Sequence, residues 1–153
     1  MGEERKLVIP ILIKYCMLSC YCFFRSDPLP FLLLSNADNT ASCRNTKFVD
    51  IDYEKLATVK KTIVQKTKEI TDLLEDIEVL TDESTVQLRS KQYTIIGCDL
   101  KNLQKLESSL RNDILPSASE CSILCVAEVS LAYMDVKSAD AVINFTSKLS
   151  HGM

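Results

Sequence analysis

Three short apolar segments of this 153-residue chain each run directly into an acidic residue. Segments this short and apolar are typical of strands that lie inside a parallel sheet and are buried on both faces. In open α/β sheets ligands bind beyond the carboxyl ends of the strands, so the acids predict a binding site there. The segments and their acids are residues 46–51 with Asp52, residues 93–98 with Asp99, and residues 123–127 with Glu128.

Amphipathic segments follow the three strands. Residues 101–112 repeat leucine at helical spacing, and residues 135–149 begin with Asp135 as a predicted cap. Alternating strands and helices predict an α/β fold with right-handed crossovers and a mostly parallel sheet. The last helix is expected to bury Ala139, Val142, Ile143 and Leu149.

The helix predicted over residues 53–69 shows both an apolar stripe and many lysines. Its stripe, at helical spacing, is formed by Leu56, Val59, Ile63 and Ile70. The lysines are interpreted as a solvated face. They are Lys55, Lys60, Lys61, Lys66 and Lys68. Residues 71–90 are acidic and polar, and predict a short helix followed by an exposed loop.

The composition is that of one ordinary globular domain. A net charge of −3 gives no reason to expect broad nucleic-acid binding. The seven cysteines show no Cys-x-x-Cys spacing, and His151 is the single histidine, so we expect no metal site. An odd number of scattered cysteines predicts reduced thiols in a cytoplasmic protein.

The N-terminal segment, residues 1–25, is apolar from residue 7 to residue 24 except for Lys14 and small polar interruptions. A signal peptide or membrane anchor is one interpretation, but Lys14 in its middle is costly to insert. We therefore expect no membrane association, and a core strand or helix instead. Residues 26–153 are assigned to an incomplete domain, with a short helix at 26–35 around Pro28 and a loop at 36–45.

A carboxylate at a strand end can accept two hydrogen bonds from a vicinal diol, which makes it suited to hold a ribose. A neighbouring strand end can hold an adenine amino group, and a third can hold the cationic end of an amino acid. The alternative is that the three acids only cap the helices that follow them.

Three residue strings resemble the leucine carboxyl methyltransferase family, whose members use S-adenosylmethionine. They are FVDIDY at 48–53, IIGCDL at 95–100 and AEVSLAYM at 127–134. The string DPLPF at 27–31 looks like the segment after that family's first glycine loop. The resemblance covers residues 26–149 and implies a partial Rossmann-like methyltransferase fold.

The resemblance also implies site residues and a reaction. Asp52 would bind the cofactor ribose, Asp99 and Leu100 the adenine, and Glu128 would lie near the methionine part. The reaction would be methyl transfer to a carboxylate oxygen, which needs alignment more than acid–base help, so no catalytic residue is assigned.

The resemblance is compatible with two different substrates. Residues 127–134 look closest to the branch of the family that acts on tRNA in wybutosine biosynthesis. The other branch methylates the C-terminal leucine of the type 2A protein phosphatase catalytic subunit.

The sequence departs from the family at its glycine turn. The matching residues, 22–26, read Cys-Phe-Phe-Arg-Ser, and Phe23 and Arg25 are expected to obstruct the methionine end of the cofactor. The chain is therefore expected to be a fragment or a diverged copy that is inactive by itself. The competing hypothesis is a non-catalytic α/β interaction module with an N-terminal membrane anchor.

Overall fold

The computed structural model describes residues 18–23, 46–115, 121–127 and 130–151 of the chain. Its centre is a six-stranded sheet in the order β3-β4-β5-β2-β1-β6. The strands are β1 (Leu18–Phe23), β2 (Thr46–Asp52), β3 (Glu78–Val79), β4 (Val86–Arg89), β5 (Tyr93–Gly97) and β6 (Cys121–Val126).

Four neighbouring strands, β5-β2-β1-β6, run parallel, and β3 and β4 form an antiparallel hairpin at the β5 side. Without that hairpin the parallel strands follow the order 3-2-1-4, which is the order of a doubly wound fold. The predicted α/β class and the mostly parallel sheet are confirmed.

The helices are α1 (Glu54–Lys66), α2 (Lys68–Thr71), α3 (Leu103–Asp113) and α4 (Val136–His151), with a 3₁₀ turn at Ser130–Tyr133. The single helix predicted over residues 53–69 is interrupted at Thr67, whose backbone is extended. The Thr67 hydroxyl donates to the carbonyl of Ile63 at 2.7 Å, so its side chain closes the end of α1.

Each face of the sheet has its own apolar cluster. On one face α1 and α2 pack on the sheet through Ala57, Val64 and Ile70. On the other face α3 and α4 pack through Leu106, Leu110, Val142 and Leu149. In β2, for example, Val49 and Ile51 belong to one cluster and Phe48 belongs to the other, because successive side chains of a strand point to opposite faces.

The predicted orientation of α1 is wrong. Leu56, Val59 and Ile63 are about half exposed, whereas Lys60 and Lys61 are only 4% and 6% exposed. Burial of the two lysines is possible because β2 and the connection between β3 and β4 supply acceptors for their ammonium groups. Lysine stems then cover apolar surface in place of the predicted stripe. Ile70, in α2, is buried as expected.

The segment after α2 also differs from its prediction. Residues 71–90 contain the β3–β4 hairpin, where a short helix and an exposed loop were expected. Val86, Gln87 and Leu88 are all buried. Only four residues form β4, and its register with β5 shifts between Val86 and Leu88. The usual alternation of apolar and polar residues is therefore too short and irregular to indicate this strand from the sequence.

The strand β6 lies at an edge of the described sheet, so the prediction that residues 123–127 are buried on both faces is wrong. The side chain of Leu124 is 51% exposed. In the following helix Ile143 is also half exposed, against prediction, while Val142 and Leu149 are buried. The predicted cap is confirmed, since Asp135 accepts the Ser138 amide at 3.0 Å.

Two of the predicted N-terminal features can be compared with the structure. Residues 18–23, within the segment assigned to 1–25, form a strand that pairs with β2 and β6. Among the residues that the structure describes, no helix has the length and apolarity to cross a bilayer. The predictions for residues 1–17, 26–35 and 36–45 and for Glu128 lie outside the described residues.

Candidate carboxylate site

Two of the predicted site residues lie at the same edge of the sheet. Asp52 is the last residue of β2 and is in register with Gly97, the last residue of β5. The amide of Cys98 donates to the Asp52 carbonyl at 2.8 Å, and Asp99 follows directly. The carboxyl ends of two neighbouring parallel strands therefore bring Asp52 and Asp99 together at one edge.

Both carboxylates are oriented by backbone amides. Asp52 Oδ1 accepts the amide of Tyr53 at 2.8 Å, and Asp99 Oδ1 accepts the amide of Lys101 at 2.9 Å. Asp99 thus fixes the turn before α3, while Asn102 is the residue that caps the helix by accepting the Lys105 amide at 3.2 Å. The alternative interpretation, in which Asp99 itself caps this helix, is therefore wrong.

Two ion pairs join the starts of three helices at this edge. Lys105 Nζ lies 2.8 Å from Glu54 Oε1, and Lys101 Nζ lies 3.1 Å from Asp135 Oδ2. Hydrogen bonds from Ser138 lower the pKa of the Asp135 carboxyl to about 2, with further help from Lys101. The residues around Asp52 and Asp99 are therefore held by contacts between α1, α3 and α4.

Leu100 and Cys98 line the inner side of the same loop. Leu100 packs against the cluster under α3, and Cys98 is only 1% exposed. Burial is the main cause that raises the pKa of the Cys98 thiol above its usual value. A buried thiol with a raised pKa is a poor nucleophile, so Cys98 is a packing residue.

Gly97 is a site residue that the sequence did not single out. A Cβ built on it would lie 2.8 Å from Gln87 Nε2 and 3.1 Å from the Glu54 Cα. The absence of a side chain therefore lets the first turn of α1 approach the end of β5. One glycine inside an apolar strand is the signal that could have indicated this close approach.

A buried ion pair lies beneath Asp52. Lys60 Nζ donates to Asp50 Oδ2 at 3.0 Å, and the Tyr93 hydroxyl donates to the same oxygen. The side chains of Lys60 and Asp50 are 4% and 3% exposed. Burial, opposed mainly by Lys60, raises the pKa of Asp50 to about 6. Sequence reasoning missed this network because its members are distant in the chain and lysine is rarely buried.

The described part of the chain contains no group of three or more His, Cys, Asp or Glu side chains that could hold a metal ion. What it does contain at this edge is a pair of carboxylates on neighbouring strand ends. Such a pair can accept hydrogen bonds from hydroxyl and amino groups of a polar ligand. The third predicted acid, Glu128, lies outside the described residues.

Sequence comparison relates this chain to known proteins. No protein-family model matches the chain. Individual proteins do match, and several of them share one name. The chain is similar to tRNA wybutosine-synthesizing protein 4. It is 63% identical to that protein of Aspergillus oryzae over 125 residues, which is 82% of the chain.

Proteins of other fungi that carry the same name match the chain at lower identity. The chain is 59% identical over 125 residues to the Aspergillus fumigatus protein and 33% identical over 130 residues to the Saccharomyces cerevisiae protein, each match covering 82% of the chain. The chain spans only 12% of the length of the two Aspergillus proteins and 19% of the Saccharomyces protein.

Proposed function

We propose that this chain carries the cofactor-binding part of an S-adenosylmethionine-dependent carboxyl methyltransferase that acts on tRNA in wybutosine synthesis. The observation that carries the proposal is the 63% identity, over 82% of the chain, to a protein named tRNA wybutosine-synthesizing protein 4. The proposed reaction and cofactor come from the family resemblance of the residue strings around Asp52, Asp99 and Glu128.

The geometry at the carboxyl edge fits such a cofactor. Asp52 ends β2 and Asp99 follows its parallel neighbour β5, so both lie at the carboxyl edge beyond which open α/β sheets bind ligands. In the proposal Asp52 accepts hydrogen bonds from the ribose diol, Asp99 with Leu100 holds the adenine, and Glu128 lies near the methionine part. Asp99 and Leu100 follow Cys98, whose amide donates to the Asp52 carbonyl, so the proposed ribose and adenine positions would be adjacent.

The proposed reaction needs little acid–base catalysis by this chain. When bound, S-adenosylmethionine supplies an electrophilic methyl group, and a substrate carboxylate is already nucleophilic at neutral pH. The side chains at the edge would therefore bind and align the cofactor. We assign no catalytic acid or base among them.

The residues at the end of β1 and directly after it determine the affinity that we expect for the cofactor. Cys22-Phe-Phe-Arg-Ser26 stands where the family carries a glycine turn, and bulky side chains there would keep backbone amides away from the cofactor. We therefore propose that this polypeptide binds S-adenosylmethionine weakly, with a dissociation constant on the order of 1 mM, and has no methyltransferase activity by itself.

Calorimetric titration with S-adenosylmethionine tests the site in two proteins, the wild-type chain and a variant with Phe23→Gly and Arg25→Gly. The glycine variant should bind at least about tenfold more tightly. In that background Asp52→Asn should weaken binding by about tenfold or more, because it removes hydrogen bonds to a charged acceptor. Asp72→Asn is the matched control, since Asp72 is an exposed acid directly after α2 that pairs with Lys68.

The possible results of these titrations distinguish a failure of the cofactor site from a failure of the glycine-turn argument. Loss of binding in Asp52→Asn but not in Asp72→Asn supports the site. Equal affinities of the two variants, or no binding by the glycine variant, would overturn the assignment of a cofactor site to this edge. Micromolar binding by the unmodified chain would overturn the proposed effect of the missing glycine turn.

A further inference from the structure

Gln87 carries a fully buried side-chain amide close to the carboxylate site of Asp52 and Asp99. Its relative exposure is 0%, and both of its polar atoms have partners on α1. Nε2 donates to the Glu54 carbonyl at 3.3 Å, and Oε1 accepts the Thr58 hydroxyl at 3.1 Å. An apolar side chain of the same length could fill this volume. What the amide adds is therefore a pair of directional hydrogen bonds to the start of α1.

A β-bulge turns Gln87 toward α1. The register of β4 shifts between Val86 and Leu88, which pair with adjacent residues of β5. Gln87 is therefore the extra residue of β4. Leu88 belongs to the apolar cluster on the α1 face, and in a regular strand its neighbour Gln87 would point to the opposite face. The bulge thus allows two successive side chains to contact the α1 side of the sheet.

Gly97 makes room for the same amide. A Cβ built on Gly97 would lie 2.8 Å from Gln87 Nε2 and 3.1 Å from the Glu54 Cα. The Gly97 amide donates to the Thr85 carbonyl at 2.8 Å, which holds the residue before β4 against the end of β5. The bulge, the glycine and the buried amide therefore all act on one point, the first turn of α1.

This first turn is held by contacts from outside the helix. Tyr53, its N-cap residue, makes no side-chain hydrogen bond to the helix. A helix start without such a bond frays more easily, because its first amides have no intrahelical acceptors. Gln87 binds the Glu54 carbonyl, and Lys105 Nζ lies 2.8 Å from Glu54 Oε1. Side chains from β4 and α3 thus hold the turn in place of a cap.

The position of this turn determines the direction of the Asp52 carboxylate. Asp52 Oδ1 accepts the amide of Tyr53 at 2.8 Å. The Tyr53 carbonyl in turn accepts the amide of Ala57 at 2.8 Å, within the first turn of α1. Glu54 follows Tyr53 directly, so a shift of the Glu54 carbonyl moves the amide that orients Asp52. Gln87 is therefore linked to the carboxylate through the start of the helix.

We propose that Gln87 is a positioning residue of the carboxylate site. By holding the first turn of α1, its amide sets the direction of the Asp52 carboxylate and strengthens the binding of the cofactor. Because Gln87 is 0% exposed, it acts through Asp52 and not by contact with a ligand. Its effect on cofactor binding rests on the proposed function, whereas its effect on Asp52 can be measured in the free protein.

The amide resonance of Tyr53, followed by NMR, tests the orientation without any ligand. Gln87→Met keeps an unbranched side chain of similar length but removes both hydrogen bonds. The Tyr53 amide signal should then move upfield and its hydrogen should exchange faster, because the bond to Asp52 Oδ1 lengthens. Leu88→Met is the matched control, since Leu88 is the buried, apolar neighbour of Gln87. This control should leave the Tyr53 amide unchanged.

The wild-type chain gives a second measurement that needs no variant to fold. One of the two side-chain amide protons of Gln87 should be protected from solvent exchange, because it is bonded to the Glu54 carbonyl. Rapid exchange of both protons would overturn the proposal. So would an unchanged Tyr53 amide in Gln87→Met, or an equal change in Leu88→Met, whether or not the chain binds a cofactor.

Calorimetric titration tests whether this orientation matters for binding. In the variant with Phe23→Gly and Arg25→Gly, adding Gln87→Met should weaken the binding of S-adenosylmethionine by about fivefold. When Asp52→Asn is also present, Gln87→Met should change the affinity by less than about twofold, because two residues that act through one contact are not additive. Leu88→Met should have less than about a twofold effect in both backgrounds.

Each result of the titration decides one claim. Equal weakening with and without Asp52→Asn would show that Gln87 supports only the fold, and would overturn its positioning role. Unchanged affinity in Gln87→Met would overturn it as well. Absence of binding by the parent variant would overturn the proposed function instead, and the exchange and amide measurements would still decide whether Gln87 orients Asp52.

Discussion

Asp50 is a buried acid whose two donors, Lys60 and Tyr93, come from a helix and from a neighbouring strand. Replacing Lys60 by methionine leaves the Asp50 carboxylate buried without its counter-charge. We expect Lys60→Met to lower the free energy of unfolding by about 3–5 kcal/mol, measured by urea unfolding. Asp50→Leu with Lys60→Met removes both charges and should recover most of that loss. A Lys60→Met protein as stable as the wild type would contradict this account.

The raised pKa of Asp50 predicts a pH dependence of stability. At about pH 5 the folded protein retains the Asp50 proton, which the unfolded chain, with an ordinary carboxyl pKa of 3.8, has largely released. The contribution of Asp50 to the free energy of unfolding therefore falls as the pH rises from about 4 to about 6, and is constant above that.

This dependence can be isolated by comparison. Urea unfolding of the wild type and of the Asp50→Leu, Lys60→Met variant over the same pH range should give a difference that changes between about pH 4 and pH 6. Other titrating groups are common to both proteins and cancel. A constant difference across the range would show that Asp50 does not titrate there.

Gly97 gives a test of the close approach between α1 and β5. Gly97→Ala should lower the free energy of unfolding by about 1–3 kcal/mol, because the added methyl group meets backbone of Glu54 as well as the Gln87 amide. The control is Ser108→Ala at an exposed position of α3. Equal stability of the two variants would mean that the first turn of α1 shifts freely.

At the scale of elements, the hairpin depends on α1 through Lys61. Its ammonium donates to the Leu80 carbonyl and pairs with Asp82, next to β3 and β4. Lys61→Met should therefore speed amide hydrogen exchange in residues 78–89, while Lys66→Met, at an exposed position of the same helix, should not. Unchanged exchange in the Lys61 variant would show that the hairpin is held by β5 alone.

The elements also show what sequence patterns could predict. Strands β2 and β5 and the helix α3 were predictable because their apolar periodicity is clear and their flanking signals agree. The face of α1 was not, since an equally regular stripe of Leu56, Val59 and Ile63 is present beside the buried lysines. Periodicity reports which residues share a face, but only tertiary partners such as Asp50 decide which face is buried.

At the scale of the whole molecule, the order 3-2-1-4 of the parallel strands places the ends of β2 and β5 side by side. The sequence predicted that Asp52 and Asp99 share one edge, because parallel strands place their carboxyl ends together. It did not predict the edge position of β6, since an apolar run such as residues 123–127 has the same composition in a central or an edge strand. It also missed Gly97 and the Asp50 network, which depend on contacts between distant segments.

The central claim is that Asp52 and Asp99 form part of a nucleoside cofactor site at this edge. Amide chemical shifts of the wild-type chain, followed by NMR during titration with S-adenosylmethionine, test it most directly. The account predicts that the shifts that move most belong to residues 52–54 and 98–101, and that Asp52→Asn removes these changes while Asp72→Asn keeps them. Changes centred elsewhere, or changes that persist in Asp52→Asn, would contradict it.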